Sequence, residues 1–175
     1  MKKALLYEKK DKNQVICHLC AHECHLTNNQ SGVCHVRKNI DGDFITLNSD
    51  RVVAMHMDPI EKKPLYHFLP GKIILSIGGV GCNLSCIFCQ NCDISQVTVD
   101  DFTWFKHYTV GEMIQIALEK KDNAGVSYTY NEPTVWVEYG LDTMKLAQAK
   151  GLKNVWVTNG YMSRETLDAI IPYLD

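Results

Sequence analysis

Three cysteines, Cys82, Cys86 and Cys89, stand at C-x3-C-x2-C spacing within Gly81-Cys82-Asn83-Leu84-Ser85-Cys86-Ile87-Phe88-Cys89-Gln90-Asn91-Cys92. Thiolates converging from one short loop suit an iron–sulfur cluster or zinc, because soft sulfur matches these metals. A cubane cluster takes one ligand per iron, so a three-cysteine loop leaves one iron open to a substrate or cofactor. The blander alternatives are a zinc knuckle or small buried apolar side chains. Zinc motifs usually pair a C-x2-C with a second ligand pair. This loop instead follows the apolar run Ile73-Ile74-Leu75-Ser76-Ile77-Gly78, which reads as a buried strand.

A second constellation lies near the N-terminus. Cys17, Cys20, Cys24 and Cys34 have C-x2-C-x3-C-x9-C spacing, with His18, His22, His25 and His35 interleaved. So many soft and borderline ligands within nineteen residues point to a metal site, either a closed zinc knuckle or an auxiliary 4Fe–4S cluster. The competing reading is free thiols and surface histidines. A segment this short and poor in large apolar side chains needs a staple to hold its shape.

The composition bounds the rest. At 175 residues the chain is about one domain, long enough to bury a core. Eighteen basic and twenty acidic side chains leave a formal charge of −2, so no basic footprint for nucleic acid appears. Met1-Lys2-Lys3-Ala4-Leu5-Leu6-Tyr7 begins like a secretory signal, but Glu8 ends its apolar run too early. No apolar run approaches a membrane span. The expected location is the cytoplasm, where cysteines serve more often as ligands than as disulfides.

The elements that must position these residues follow in order. Asp41-Gly42 is a tight-turn signal. Phe44-Ile45-Thr46-Leu47 and Arg51-Val52-Val53-Ala54-Met55 read as a β-hairpin around Asn48-Ser49-Asp50. The stretch from Asp58 to Gly71 is rich in proline. It reads as an ordered linker packing Leu65, Tyr66 and Phe68, or as an active-site wall supplying His67 or Lys62. From Lys72 the pattern becomes strand, loop, helix. Strands are expected at 72–78, 125–130 and 154–158, with helices opening at the capping box Thr109-Val110-Gly111-Glu112, at Pro133 and at Ser163. Gly151 would close the second helix. This alternation predicts an α/β fold of parallel βαβ units, residues 72–175, behind a Cys-rich segment and linker, residues 1–71. Chemistry collects at the C-terminal ends of such strands. There stand the cysteine loop, Asn131-Glu132 and Thr158-Asn159-Gly160.

The cysteine loop, with Phe88 before its last cysteine, resembles that of the radical S-adenosylmethionine (SAM) enzymes. The resemblance implies a partial parallel (β/α) barrel, a 4Fe–4S cluster on Cys82, Cys86 and Cys89, and SAM at the open iron. It implies that Phe88 packs by the adenine, and that Asn91, Glu132, Thr158 and Asn159 bind the cofactor, Glu132 through the SAM amino group. Tyr130-Asn131 stand where the family commonly has Gly-Gly before that glutamate. The alternatives are that Glu132 favours a helix N-terminus and that Asn159-Gly160 is an ordinary turn. Implied too is reductive cleavage of SAM to a 5′-deoxyadenosyl radical, which takes hydrogen from an unknown substrate. The electron would come from an external donor of flavodoxin or ferredoxin type.

A closer resemblance covers nearly the whole sequence. Cys17 to Cys24, Gly32-Val33-Cys34-His35-Val36-Arg37, Asp58 to Gly71 and Cys89-Gln90-Asn91 resemble the radical SAM member of the AmmeMemoRadiSam system. That family is related to pyruvate formate-lyase activating enzyme, and it implies Memo-like and AMMECR-like partners. Ala21 and Cys92 depart from its pattern. The sequence ends where a fourth strand is expected, which reads as a truncated barrel. The competing functions are a glycyl-radical-enzyme activase, suggested by Thr158-Asn159-Gly160, and a non-catalytic cluster-binding fragment, suggested by the early end.

Overall fold

The computed structural model describes residues 2–175. Short antiparallel pieces come first. Strands β1 (Lys2–Lys3), β2 (Tyr7–Lys10), β3 (Gln14–Cys17), β4 (His25–Leu26), β5 (Arg37–Ile40) and β6 (Asp43–Thr46) form two sheets, ordered β1-β6-β5 and β2-β3-β4. Asp41 and Gly42 both take positive φ, 51° and 84°, so the two-residue turn between β5 and β6 matches the right-handed strand twist. The hairpin therefore sits at Asp41-Gly42 and not around Asn48-Ser49-Asp50 as the sequence suggests. Asn48 is buried and acts as a hub. Its Nδ2 donates to the Val80 carbonyl, and its own carbonyl accepts from Trp136 Nε1.

The residues after Asn48 part company. Strand β7 (Arg51–Val52) pairs with β10 (Lys106–His107), while β8 (Ala54–Pro59) joins the main sheet. That sheet has the order β12-β11-β9-β8. Its parallel strands are β9 (Ile73–Gly78), β11 (Asn123–Tyr128) and β12 (Lys153–Trp156), and β8 runs antiparallel at the edge. Residues 74–78 of β9 are all buried, as expected for a central strand covered on both faces.

Among the described residues the α-helices are α1 (Cys92–Ser95), α2 (Val110–Leu118), α3 (Val137–Ala149) and α4 (Arg164–Ile170). The Thr109–Glu112 capping box closes as its spacing predicts, each side chain bonding the other's backbone. Ser163 caps α4 by accepting from Thr166 N. Gly151 follows α3 at φ 76°.

One apolar cluster joins both halves of the chain. Val15, Leu19 and Phe44 from the small sheets share it with Leu75, Ile77, Tyr128 and Met144. Beneath them lies a buried ion pair. Arg37 Nη2 is 2.9 Å from Glu138 Oε1, and both side chains are 1% exposed. The backbone of Leu5 completes the pair, its N–H on Glu138 and its carbonyl on Arg37. Among the described residues no helix is long and apolar enough to cross a membrane.

Candidate functional site

The C-terminal ends of β9, β11 and β12 open on one cavity of about 530 Å³. Cys82, Cys86, Cys89, Asn91, Glu132, Thr158 and Asn159 all line it, so seven of the predicted residues meet there. Phe88 does not. It is 82% exposed at the tip of the loop and is no part of the cavity wall. Cys92 begins α1 and is likewise exposed.

The loop carrying the thiols is held by side-chain donors from three directions. Asn131 Nδ2 donates to the carbonyls of Gly79 and Gly81, at 2.7 and 2.6 Å. His22 Nε2 meets the Asn83 carbonyl at 2.7 Å, and since a carbonyl only accepts, that nitrogen carries the proton. Gln96 Nε2 donates to the Leu84 carbonyl at 2.8 Å. Gly81 is required here. A side chain on it would meet the Cys34 carbonyl and Val36 at 2.6 Å, and its φ is 91°. Among the thiols, burial raises the pKa of Cys82, which accepts from Leu84 N at 3.5 Å. Cys89 Sγ lies 3.8 Å from Ser95 Oγ.

Glu132 is 2% exposed and ties two strand ends together. Its Oε1 accepts from Thr134 N, Thr134 Oγ1 and Thr158 Oγ1, the last at 2.8 Å; its Oε2 accepts from Asn159 N at 2.7 Å. The carboxylate therefore does cap the turn starting at Pro133. Among the described residues it has no cationic partner. Tyr130 takes φ 76°, the left-handed region usually left to glycine. It is held there by Asn91 Nδ2 on its carbonyl at 2.6 Å and by its own hydroxyl on Asp58 Oδ2 at 3.2 Å. A non-glycine residue thus adopts the glycine-like backbone.

The proline-rich stretch forms one wall of this cavity, with Lys62 and not His67 on it. Asp58, Lys62, Lys63 and Pro64 line it, so the proline-rich stretch is both linker and wall. Leu65 and Phe68 do pack beneath it, on Ile60, Ile74 and Val155, while Tyr66 and His67 are exposed. Asp58 accepts from Lys62 and Lys63 Nζ, both at 2.9 Å. Burial alone would raise the Asp58 pKa, but the two lysine contacts outweigh it and hold the carboxyl well below the usual range. Tyr130 is pushed up to about 12 by burial and by the nearby Asp58 charge. Asp58 and Lys63 were not expected on it; their signal in the sequence is the Lys62-Lys63 pair four and five positions after Asp58.

The N-terminal cysteines are neighbours of one another. Cys17, Cys20 and Cys34 are buried, and the Cys24 and Cys34 sulfurs lie 3.6 and 3.8 Å from one point above Gly32. Burial pushes the Cys34 thiol up to about 12, and the Arg37 guanidinium opposes it. Of the interleaved histidines, His22 turns away to Asn83. Among the described residues no three or more His, Cys, Asp or Glu side chains form a ready metal-ligand set. The cavity thiols line a common space without converging. In donor chemistry they still fit an iron–sulfur cluster. They are soft, they come from one loop, and all three border the same cavity.

Residues 76–174 match the model of the Radical SAM superfamily. The chain is 40% identical over 170 residues to the uncharacterized protein MJ0808 of Methanocaldococcus jannaschii, covering 97% of this chain and 50% of that protein. It is 28% identical over 165 residues to a second uncharacterized protein of that organism, MJ0674, covering 91% of this chain and 43% of that protein. The chain therefore spans about half the length of the curated relatives it matches.

Proposed function

The chain belongs to the radical SAM superfamily, and on that premise we propose that Cys82, Cys86 and Cys89 hold a 4Fe–4S cluster whose open iron takes SAM beside Glu132. The observation that carries this reading is the state of Glu132. It is a buried carboxylate on the wall of a three-thiol cavity, stabilised by neutral donors alone. Buried charges are normally paired, and the amino group of SAM is a cation of the right kind to pair with it. When bound, the cluster and SAM supply a one-electron cleavage that yields a 5′-deoxyadenosyl radical for hydrogen abstraction from a substrate.

The remaining work belongs to the chain. Thr158 and Asn159 fix the Glu132 carboxylate, and Asn131 and His22 fix the loop backbone around Cys82. Asn91 holds Tyr130 in its left-handed turn, keeping the cavity floor open. Asp58, Lys62 and Lys63 form one side of the cavity.

The finer reading is the radical SAM oxidoreductase of the AmmeMemoRadiSam system, a relative of pyruvate formate-lyase activating enzyme. It has a partial (β/α) barrel, works in the cytoplasm and draws its electron from a flavodoxin- or ferredoxin-type donor. Memo-like and AMMECR-like proteins are its proposed partners. Cys17, Cys20, Cys24 and Cys34 are assigned to zinc or a second cluster, supported by their common neighbourhood. The test is iron, sulfide and zinc content after anaerobic reconstitution, with SAM cleavage followed on the same sample. About four irons per chain with 5′-deoxyadenosine formed is the expected result. No iron, or iron without cleavage, refutes the reading. About one equivalent of zinc marks the N-terminal site as structural, and a doubled iron content marks it as a cluster.

A further inference from the structure

Asp58 divides its carboxylate unequally among its partners. Its Oδ2 accepts from Lys63 Nζ at 2.9 Å and from the Tyr130 hydroxyl at 3.2 Å, while its Oδ1 accepts from Lys62 Nζ alone, at 2.9 Å. The side chains of Lys63 and Asp58 are each 6% exposed, and the Lys63 ammonium lies 5.1 Å from the centre of the Tyr130 ring. Moving Lys63 would strand a buried charge, so it stays where it is. The Lys62 side chain is 67% exposed, and an ion pair this open contributes little. Lys62 can therefore leave Asp58, which keeps Lys63 and Tyr130. Among the described residues the charged side chains on the cavity wall are Asp58, Lys62, Lys63 and Glu132. Lys63 matches Asp58 and the SAM amino group matches Glu132, so Lys62 is the cation left over.

The backbone beneath this ammonium is held. Ile60 is fully buried, its N–H bonds the Lys72 carbonyl at 2.9 Å, and its carbonyl accepts from Lys63 N at 2.9 Å. Glu61 is turned aside, its Oε1 accepting from Gly71 N at 2.6 Å. A fixed base under a free charged tip lowers the ordering cost of binding a ligand.

The sheet also separates this wall from the thiols. Asp58 stands opposite Ile74, near the start of β9, whereas the thiol loop leaves β9 after its last residue, Gly78. From Ile74 to Gly78 the strand spans about 13 Å. The carboxylate of SAM is carried by the same carbon as its amino group, so it stays beside Glu132 at the strand ends. An anion on Lys62 then belongs to a second molecule.

We propose that Lys62 is a specificity-determining residue that binds an anionic group, carboxylate or phosphate, of the molecule that gives up hydrogen. Calling that molecule the substrate rests on the radical SAM reading above; the anion site itself does not.

The test titrates the reconstituted, SAM-saturated chain with inorganic phosphate and with acetate at constant ionic strength, followed by calorimetry. At least one of them should bind at a single site. Phosphate alone points to a phosphorylated substrate, acetate alone to a carboxylic acid, and both to a pocket that takes either. Lys62→Met should weaken that binding by about tenfold or more, the loss of one charge-assisted hydrogen bond. Lys62→Arg keeps the charge and should restore it, and SAM affinity should stay parental in both variants. A parent that binds neither anion overturns the proposal, as does a Lys62→Met chain that binds them as the parent does. A tenfold loss of SAM affinity in Lys62→Met also overturns it, because Lys62 would then hold the SAM carboxylate. A parent that takes up no cluster or no SAM refutes the radical SAM reading instead, and the same titrations on the metal-free chain still decide the anion site.

Discussion

Glu132→Gln separates the two jobs this carboxylate holds. In the folded chain Oε1 serves Thr134 N, Thr134 Oγ1 and Thr158 Oγ1, while Oε2 serves Asn159 N alone. The glutamine keeps its carbonyl toward the threonines, so its NH2 faces the Asn159 N–H, donor against donor. The loss is one hydrogen bond to a charged group, about 1.5–3 kcal/mol. For a chain of this size each kcal/mol is worth roughly 2–4 °C, so a cost of about 2 kcal/mol lowers the melting temperature by about 4–8 °C. The same change removes the anion proposed to pair with the SAM amino group, and SAM affinity should fall at least tenfold, about 1.4 kcal/mol. Thermal unfolding by circular dichroism reads the first effect, and calorimetric titration of the reconstituted chain with SAM reads the second. Thr158→Val is the control. It removes one neutral donor to the carboxylate, costs about 1 kcal/mol and should lower SAM affinity by clearly less than Glu132→Gln does. A variant melting within a degree of the parent would refute the strand-tie argument. Unchanged SAM affinity in Glu132→Gln would refute the pairing argument, whatever happens to stability.

Three further predictions concern the frame around the site. Arg37→Leu or Glu138→Leu alone leaves an uncompensated buried charge and should cost about 3–5 kcal/mol in denaturant unfolding, while the double change costs clearly less than the two together; additive costs would show that the pair is not coupled. Asp58 has its pKa depressed on folding, so its contribution to stability is fully present above about pH 4 and is lost as the pH falls below that. The parent should therefore lose stability more steeply than Asp58→Asn in acid, and parallel pH profiles would contradict the role given to Lys62 and Lys63. Cys20→Ser should abolish the metal at the N-terminal site, zinc or cluster, while leaving about four irons at the other site; loss of all iron would mean that the two cysteine sets are not independent.

What the amino-acid sequence determined by itself was local. The C-x3-C-x2-C loop, the buried strand before it, the Thr109–Glu112 capping box and the Ser163 cap all rest on residues a few positions apart, where chain geometry alone sets the interaction. Parallel βαβ order then brought Glu132 and Thr158-Asn159 to the same strand ends as the thiols.

The tertiary structure decided whatever joins distant positions. Asn48 offered a turn signal, but burial against Trp136 made it a hub and moved the hairpin to Asp41-Gly42. Phe88, expected beside the adenine, is exposed at the loop tip and does not line the cavity in the folded chain. Asp58 reaches Tyr130 across 72 positions, His22 reaches Asn83 across 61 and Arg37 reaches Glu138 across 101. Such pairings leave no periodic trace in the sequence, since a side chain's identity records which partners it can bond and only the packed fold fixes which partner it meets.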